Sequence, residues 1–167
     1  MSSQDGLRFA SYVSSTERGA LERLIFFNSC QDRVLRGIVD AIELYGTPDI
    51  SADRNGLTVK LSGVSDAQSL FALDNLTGRP VGVAVYMRPD VENITVLHIS
   101  ISREFASGGL REKDQLLLRM LRELRRCTRR VKGVRKMELF YAADRSDQRR
   151  LRGARGLSEL KSSMALR

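Results

Sequence analysis

One stretch of this chain, residues 93–141, constrains the fold more than any other. Asn93–Ser102 (NITVLHISIS) is apolar and rich in β-branched residues, a pattern that favours a strand. Glu104–Gly109 is a short loop that ends in two glycines, and Leu110–Arg130 then carries apolar residues at helical spacing. Val134–Tyr141 returns to a strand pattern. The stretch predicts a βαβ unit, whose first loop is a usual place for a ligand.

The residues before this unit predict two helices and then a run of antiparallel strands. The 167 residues fit one domain, expected to span the whole chain from 1 to 167. The expected helices cover Ser14–Phe26 and Asp32–Tyr45, the expected strands cover Leu57–Leu61, Ser69–Leu73 and Pro80–Met87, and a C-terminal helical segment is expected from about Ser146.

Composition and charge narrow the class of protein. Apolar residues make up 42% and charged residues 29%, as in ordinary globular proteins. No run of about 18 apolar residues is present, so no membrane partner is expected. The N-terminal residues MSSQDGLRF lack the apolar core of a signal peptide, which makes the cytoplasm the expected compartment. The distant Cys30 and Cys127 are therefore expected to be reduced thiols.

The net charge of +8 is unevenly distributed along the chain. Residues 1–100 hold 9 Lys/Arg against 12 Asp/Glu, a net charge of −3, whereas residues 101–167 hold 19 against 8, a net charge of +11. The basic part would attract a polyanion or a phosphate-bearing small molecule.

The order of elements resembles the GNAT superfamily of acyl-CoA N-acyltransferases. The pair PVGVAVYM and ITVLHISIS resembles the family's third and fourth strands, and residues 93–141 resemble its coenzyme A-binding unit. Near the C-terminus, Arg149–Leu157 (RRLRGARGL) is similar to the helix that ends in the family's Gly-aromatic pair. The resemblance implies an α+β (α/β) fold with a mixed, mostly antiparallel sheet, a βαβ unit and flanking helices. The sheet would be splayed between the fourth and fifth strands, with acyl-CoA in the gap.

The family's pyrophosphate loop has the pattern Arg/Gln-X-X-Gly-X-Gly/Ala at the start of a helix. Residues 103–108 (REFASG) fit this pattern with Ala106 in place of the first glycine, whereas alignment on the leucines at 116–118 places residues 111–114 (REKD) there, without a glycine. Ser107–Gly109 can cradle an anion or form a simple turn with a capping serine. The coenzyme A-binding residues that we expect are Ile101, Arg103, Ser107, Gly108, Gly109, Leu110 and Arg111.

His98 is the candidate catalytic residue, because histidine titrates near neutrality and the corresponding family strand can carry a general base. It is the only histidine of the chain, so no metal site is expected, and a hydrogen-bonded structural role is the alternative. Strand alternation places His98 on one face with Val96 and Ser100. The family's frequent general-acid tyrosine is replaced by Arg152.

Two functions follow from these observations. The first is an acyl-CoA-dependent N-acyltransferase that uses acetyl-CoA or another acyl-CoA and a small-molecule or peptide amine as acceptor. The second is a non-catalytic GNAT-like module that binds an anionic partner through the basic C-terminal part. The expected helix carries six arginines opposite its apolar arc, which is either a solvated face or a site for weak, non-specific nucleic acid. A homodimer is a further expectation.

Overall fold

A computed structural model describes residues 6–26, 28 and 35–140. The described strands and helices, in chain order, are β1 (Leu7–Ala10), α1 (Arg18–Phe26), α2 (Leu35–Tyr45), β2 (Pro48–Asp53), β3 (Gly56–Leu61), β4 (Gln68–Asp74), β5 (Pro80–Met87), β6 (Asn93–Ile101), α3 (Leu116–Arg129) and β7 (Lys136–Leu139).

The main sheet has five strands in the order β1-β4-β5-β6-β7. Its pairs are antiparallel except for β6 and β7, which run parallel and are joined by α3 as a βαβ unit. β2 and β3 form a separate two-stranded hairpin. The predicted fold class is confirmed, although the sequence patterns missed the edge strand β1 and the hairpin strand β2.

The two faces of the sheet bury separate apolar clusters. The first cluster joins α1, α2 and the hairpin to one face, and it includes Leu21, Phe71 and Leu97. The second lies under α3 and includes Met120 and Leu124, both fully buried. α3 packs closely there because Gly82 of β5 has no side chain: a Cβ would lie 2.5 Å from Met120 Sδ.

α3 is shorter than predicted, and its buried face differs by one position at its start. It begins at Leu116 rather than Leu110, because the preceding residues form two 3-10 turns and Gln115 has φ of +49°. The buried residues are Leu116, Met120, Leu124 and Thr128. The helical spacing of the sequence also predicts Leu117 and Val131 on the apolar arc, together with Met120, Leu124 and Thr128, but these two residues are 40% and 42% exposed. Within the described ranges, no helix combines the length and apolar composition that a membrane span requires.

Candidate functional site

β6 pairs with both β5 and β7 at Thr95 and Val96, and with β5 alone from His98 to Ile101. The parallel register with β7 ends at the pair Val96–Leu139, whereas the antiparallel register with β5 continues to Ile101. In the described part of the chain, no strand pairs with the β7-facing edge of Leu97–Ile101. We call this edge the open edge. It is the kind of gap that the resemblance implied between these two strands.

A buried aromatic contact fixes the end of β7. Phe140 directly follows the last paired residue, Leu139, and is 1% exposed in the cluster under α1 and α2. Its ring meets that of Tyr45 edge-on, with centroids 5.3 Å apart and an interplanar angle of 84°. The contact holds the end of β7 against the last residue of α2, where the pairing with β6 stops.

The backbone of the open edge presents hydrogen-bonding groups. The N–H of Ser102 donates to the carbonyl of Val81 at 2.8 Å, so strand alternation directs the polar groups of Ile99 and Ile101 away from β5. The carbonyl of Ile101 accepts a hydrogen bond from Asn28 Nδ2 at 2.6 Å. The N–H groups of Ile99 and Ile101 and the carbonyl of Ile99 therefore face the open edge.

Asn28 connects this end of β6 to α1. Its Nδ2 also donates to Ser100 Oγ at 2.9 Å, and the Ser100 hydroxyl donates to the carbonyl of Leu24 at 2.7 Å. The sequence analysis missed Asn28. No local pattern could have indicated its link to β6, because its partners in that strand lie more than 70 positions further along the chain.

A register shift in β6 moves His98 to a face that strict alternation does not predict. The pairing passes from Val85–His98 to Tyr86–Val96, which leaves Leu97 as an extra residue. Val96 packs in the α3 cluster, whereas Leu97 packs in the α1–α2 cluster and His98 faces α2 as well. The expectation that His98 and Val96 share a face is therefore wrong, and the β-bulge is the reason.

His98 is buried in apolar surroundings. It is 4% exposed and lines a narrow space with Ile38, Ala41 and Ile42 of α2 and Pro48 of the hairpin. This burial lowers the pKa of His98 to about 4, because the charged imidazolium is poorly solvated there. The imidazole is consequently neutral at physiological pH. Its role as a base stays a prediction, but the ionisation expected near neutrality is displaced to acid pH.

The glycines of the 103–115 loop serve the turns of the loop itself. Gly108 has φ of +80°, a conformation that other residues rarely adopt, and a Cβ there would meet open space. A Cβ on Gly109 would lie 2.4 Å from the carbonyl oxygen of Glu104, which the glycine allows to approach. The N–H of Gly108 donates to Glu112 Oε2 at 2.8 Å. The loop therefore binds a carboxylate of its own chain.

Arg111 ties the loop to the body of the sheet. Its guanidinium donates to Asp74 Oδ2 at 2.8 Å and to Asp114 Oδ2 at 2.9 Å, and it lies over the Phe105 ring, 4.3 Å from the centroid. Partial burial opposes the charged form, but the hydrogen bonds to both carboxylates prevail and raise the pKa of Arg111. Phe105 is 3% exposed in the α3 cluster, so it fills core space rather than a cleft.

The predicted coenzyme A-binding residues fall into two groups. Ile101 lies at the end of the open edge, whereas Arg103, Ser107, Gly108 and Leu110 lie on the solvent-exposed loop, with Leu110 95% exposed. None of the loop residues belongs to α3, whose start lies beyond them. Their role in binding stays a prediction. Asp74 of β4, which holds Arg111, was not among the residues predicted from the sequence.

The start of α3 offers backbone donors at the same end of the sheet. Arg119 is the first residue whose N–H donates to a carbonyl of this helix, that of Gln115, at 3.0 Å. The N–H groups of Leu116–Leu118 therefore have no acceptor within the helix, and the Gln115 side chain provides no cap. Because α3 follows β6 in the βαβ unit and returns to the start of the parallel strand β7, these donors lie towards the carboxyl end of β6.

Other chemistry-bearing residues lie apart from this end. A cavity of about 340 Å³ is lined by Tyr86, Ile94 and Cys127, near the last turn of α3. Burial raises the pKa of the Cys127 thiol, and a hydrogen bond to Glu123 adds to this, which disfavours a thiolate nucleophile. Among the residues that the structure describes, no three His, Cys, Asp or Glu side chains gather as a metal site would require.

Several sequence predictions fall outside the described residues. These are Cys30, Tyr141, the expected helical segment from Ser146, Arg152 and the Gly156–Leu157 pair.

Comparison with known proteins gives one structural similarity to report. No family model matches the chain, and no curated protein matches it. Among solved structures, the chain is similar to an acetyltransferase from Trypanosoma brucei, with 16% sequence identity, 84% of each chain covered and a TM-score of 0.40. A similarity of this size does not identify an activity, so a function has to be argued from the geometry of the site.

Proposed function

We propose that this protein is an acyl-CoA-dependent N-acyltransferase, with acetyl-CoA or another acyl-CoA as donor and a small-molecule or peptide amine as acceptor. The observation that carries the proposal is the open edge of β6, which lies at the same end of the sheet as the unpaired N–H groups of α3. An extended ligand with amide groups and a phosphate end has complementary chemistry for these two features together.

The open edge supports the amide-containing arm of coenzyme A. An extended chain laid beside β6 can pair with the N–H and carbonyl of Ile99 as an added strand would. The N–H of Ile101 offers a further donor, while its carbonyl is already held by Asn28. A thioester carbonyl that accepts from one of these N–H groups would be polarised for attack.

The phosphates of the ligand are assigned to the start of α3. The N–H groups of Leu116–Leu118 and the positive end of the helix dipole favour an anion there. Arg103 and Lys113 are exposed and make no ion pair with the described residues, so both are able to contribute charge. A phosphate that instead entered the Ser107–Gly109 loop would have to displace the Glu112 carboxylate.

The transfer step needs a neutral amine and an electrophilic thioester. The amine nitrogen attacks the thioester carbon, the new C–N bond forms and the C–S bond breaks, while the proton that the nitrogen loses passes to a base and from the base to the leaving coenzyme A thiolate. His98 is the candidate for accepting that proton, directly or through a water molecule. With a pKa of about 4, it predicts a turnover rate that is flat between pH 6 and 8 rather than rising through neutrality.

Thermal unfolding with acetyl-CoA and with pantetheine tests the proposal. Acetyl-CoA at about 100 times its dissociation constant should add roughly 2.7 kcal/mol to the free energy of unfolding and raise the melting temperature. Pantetheine lacks the nucleotide phosphates and should give a smaller shift. No shift with millimolar acetyl-CoA would overturn the proposal and leave the non-catalytic module. If a shift occurs, thiol release with a panel of amines identifies the acceptor.

A further inference from the structure

The outer face of α3 carries a straight row of unpaired arginines. Arg122, Arg125 and Arg129 follow the helical repeat on the side opposite the buried Leu124, and all three are exposed. Arg126 lies beside the row but is held by Glu123, at 2.6 and 2.9 Å. Within the described ranges, none of the three row residues makes an ion pair, and Glu123 is the only carboxylate on the helix.

The helix that carries the row is fixed in the core, and the row is uniform in charge. The opposite side of α3 is fixed in the core, where Leu116, Met120 and Leu124 are fully buried. The first and last of the three arginines are seven positions apart, or roughly 10 Å along the helix axis. Duplex DNA presents about six phosphate charges over the same length. The row therefore matches a rigid, closely spaced line of anions.

We propose that this row binds the phosphate backbone of a nucleic-acid duplex without reading its sequence. Guanidinium groups bind phosphate in bidentate geometry and are weakly hydrated, so arginine suits this contact better than lysine. An anionic membrane is a poorer partner, because an interfacial helix must insert its apolar face and that of α3 is buried in the core. α3 contains no aromatic residue that could stack on an unpaired base, which disfavours single strands as the partner.

The salt dependence of binding measures the number of phosphate contacts. With three contacts, the logarithm of the association constant should fall with the logarithm of salt concentration at a slope of about −2.7. Affinity for a fluorescent 20-base-pair duplex should then drop roughly 40-fold between 50 and 200 mM salt. Two duplexes of unrelated sequence should bind equally, because only their backbones are contacted.

The test uses two triple variants with the same change in net charge. The row variant carries Arg122→Glu, Arg125→Glu and Arg129→Glu, and it should lose binding at 50 mM salt. The control carries Arg36→Glu, Arg54→Glu and Arg79→Glu, which are exposed on α2, the hairpin turn and the β4–β5 turn. The control should retain most of the affinity. A glutamine version of the row variant covers the case in which the glutamate version fails to fold.

Three results would overturn the assignment. The first is a wild-type protein that binds no duplex at 50 mM salt. The second is a control variant that loses as much affinity as the row variant, which would show that overall charge and not the row matters. The third is equal binding of polyglutamate or of anionic vesicles at matched charge concentration. This result would indicate an acidic protein or a membrane as the partner and not a nucleic acid. Retention of acetyl-CoA binding by the row variant separates this proposal from the acyltransferase proposal.

Discussion

Residues 93–96 and 97–101 of β6 are similar in composition but differ in their neighbours. Within the first half, Thr95 and Val96 lie between β5 and β7, whereas Asn93 and Ile94 pair with β7 alone. The second half pairs with β5 alone and presents the groups of Ile99 to the open edge. The comparison shows that an apolar, β-branched strand can serve the core along one part and offer a ligand edge along another. The change occurs where a bulge coincides with the end of the partner strand.

Removal of the aromatic contact at the end of β7 should give the largest effect. Phe140 is 1% exposed and packs on Tyr45, so Phe140→Ala leaves a cavity where pairing between β6 and β7 ends. We expect a loss of about 3–5 kcal/mol in the free energy of unfolding. Urea unfolding measures it, and the partly exposed Phe26 gives a control as Phe26→Ala, which should cost far less. Equal losses for both variants would contradict the anchoring role of Phe140.

Proline substitution separates the two halves of β6 directly. Val96→Pro removes a ladder N–H from a residue that lies between two strands, and the lost hydrogen bond alone should cost about 1–3 kcal/mol. Ile99→Pro removes an N–H that faces the open edge, so the stability loss should be smaller. Acetyl-CoA binding should nevertheless weaken in Ile99→Pro. The comparison fails if Ile99→Pro destabilises the protein as much as Val96→Pro does.

The pH dependence of the free energy of unfolding tests the burial of His98, in the second half of β6, against α2. The pKa of His98 is about 4 when folded and about 6.5 when unfolded, so the unfolded state binds more protons between these values. Stability is therefore full above pH 6.5 and falls as the pH drops towards 4. At pH 5 the loss should be about 2 kcal/mol. Since His98 is the only histidine, His98→Gln should remove this dependence in urea unfolding at pH 7.5 and 5.

A smaller effect, on the affinity for acetyl-CoA, is expected when the Glu112 carboxylate bound by the loop is removed. Glu112→Gln removes the negative charge of the carboxylate that accepts from the Gly108 N–H, and with it a repulsion towards the ligand phosphates. Binding of acetyl-CoA should tighten a few-fold, as the charge term of one exposed pair allows. Calorimetric titration checks this, with Glu104→Gln as the control for charge alone. Equal tightening in both variants would indicate a general charge effect.

The sequence predicted the architecture better than it predicted the site. Apolar periodicity was sufficient for β5, β6 and the buried positions at Met120 and Leu124, because burial determines both the pattern and the packing. Periodicity carries no information about a bulge, so the face of His98 was wrong. The prediction for the 103–115 loop was incomplete for a different reason. The glycines of this loop indicated a turn before a helix, but the loop is also held by the contact of Arg111 with the distant Asp74, which a local pattern cannot show.

Amide hydrogen exchange at the open edge tests the central claim most directly. The N–H groups of Ile99 and Ile101 face this edge, whereas Ile94 is paired with Met137 of β7. The account predicts that millimolar acetyl-CoA slows exchange at Ile99 and Ile101 by at least about tenfold, the equivalent of one new hydrogen bond, and leaves Ile94 unchanged. Unchanged exchange at Ile99 and Ile101 in the presence of acetyl-CoA would contradict it.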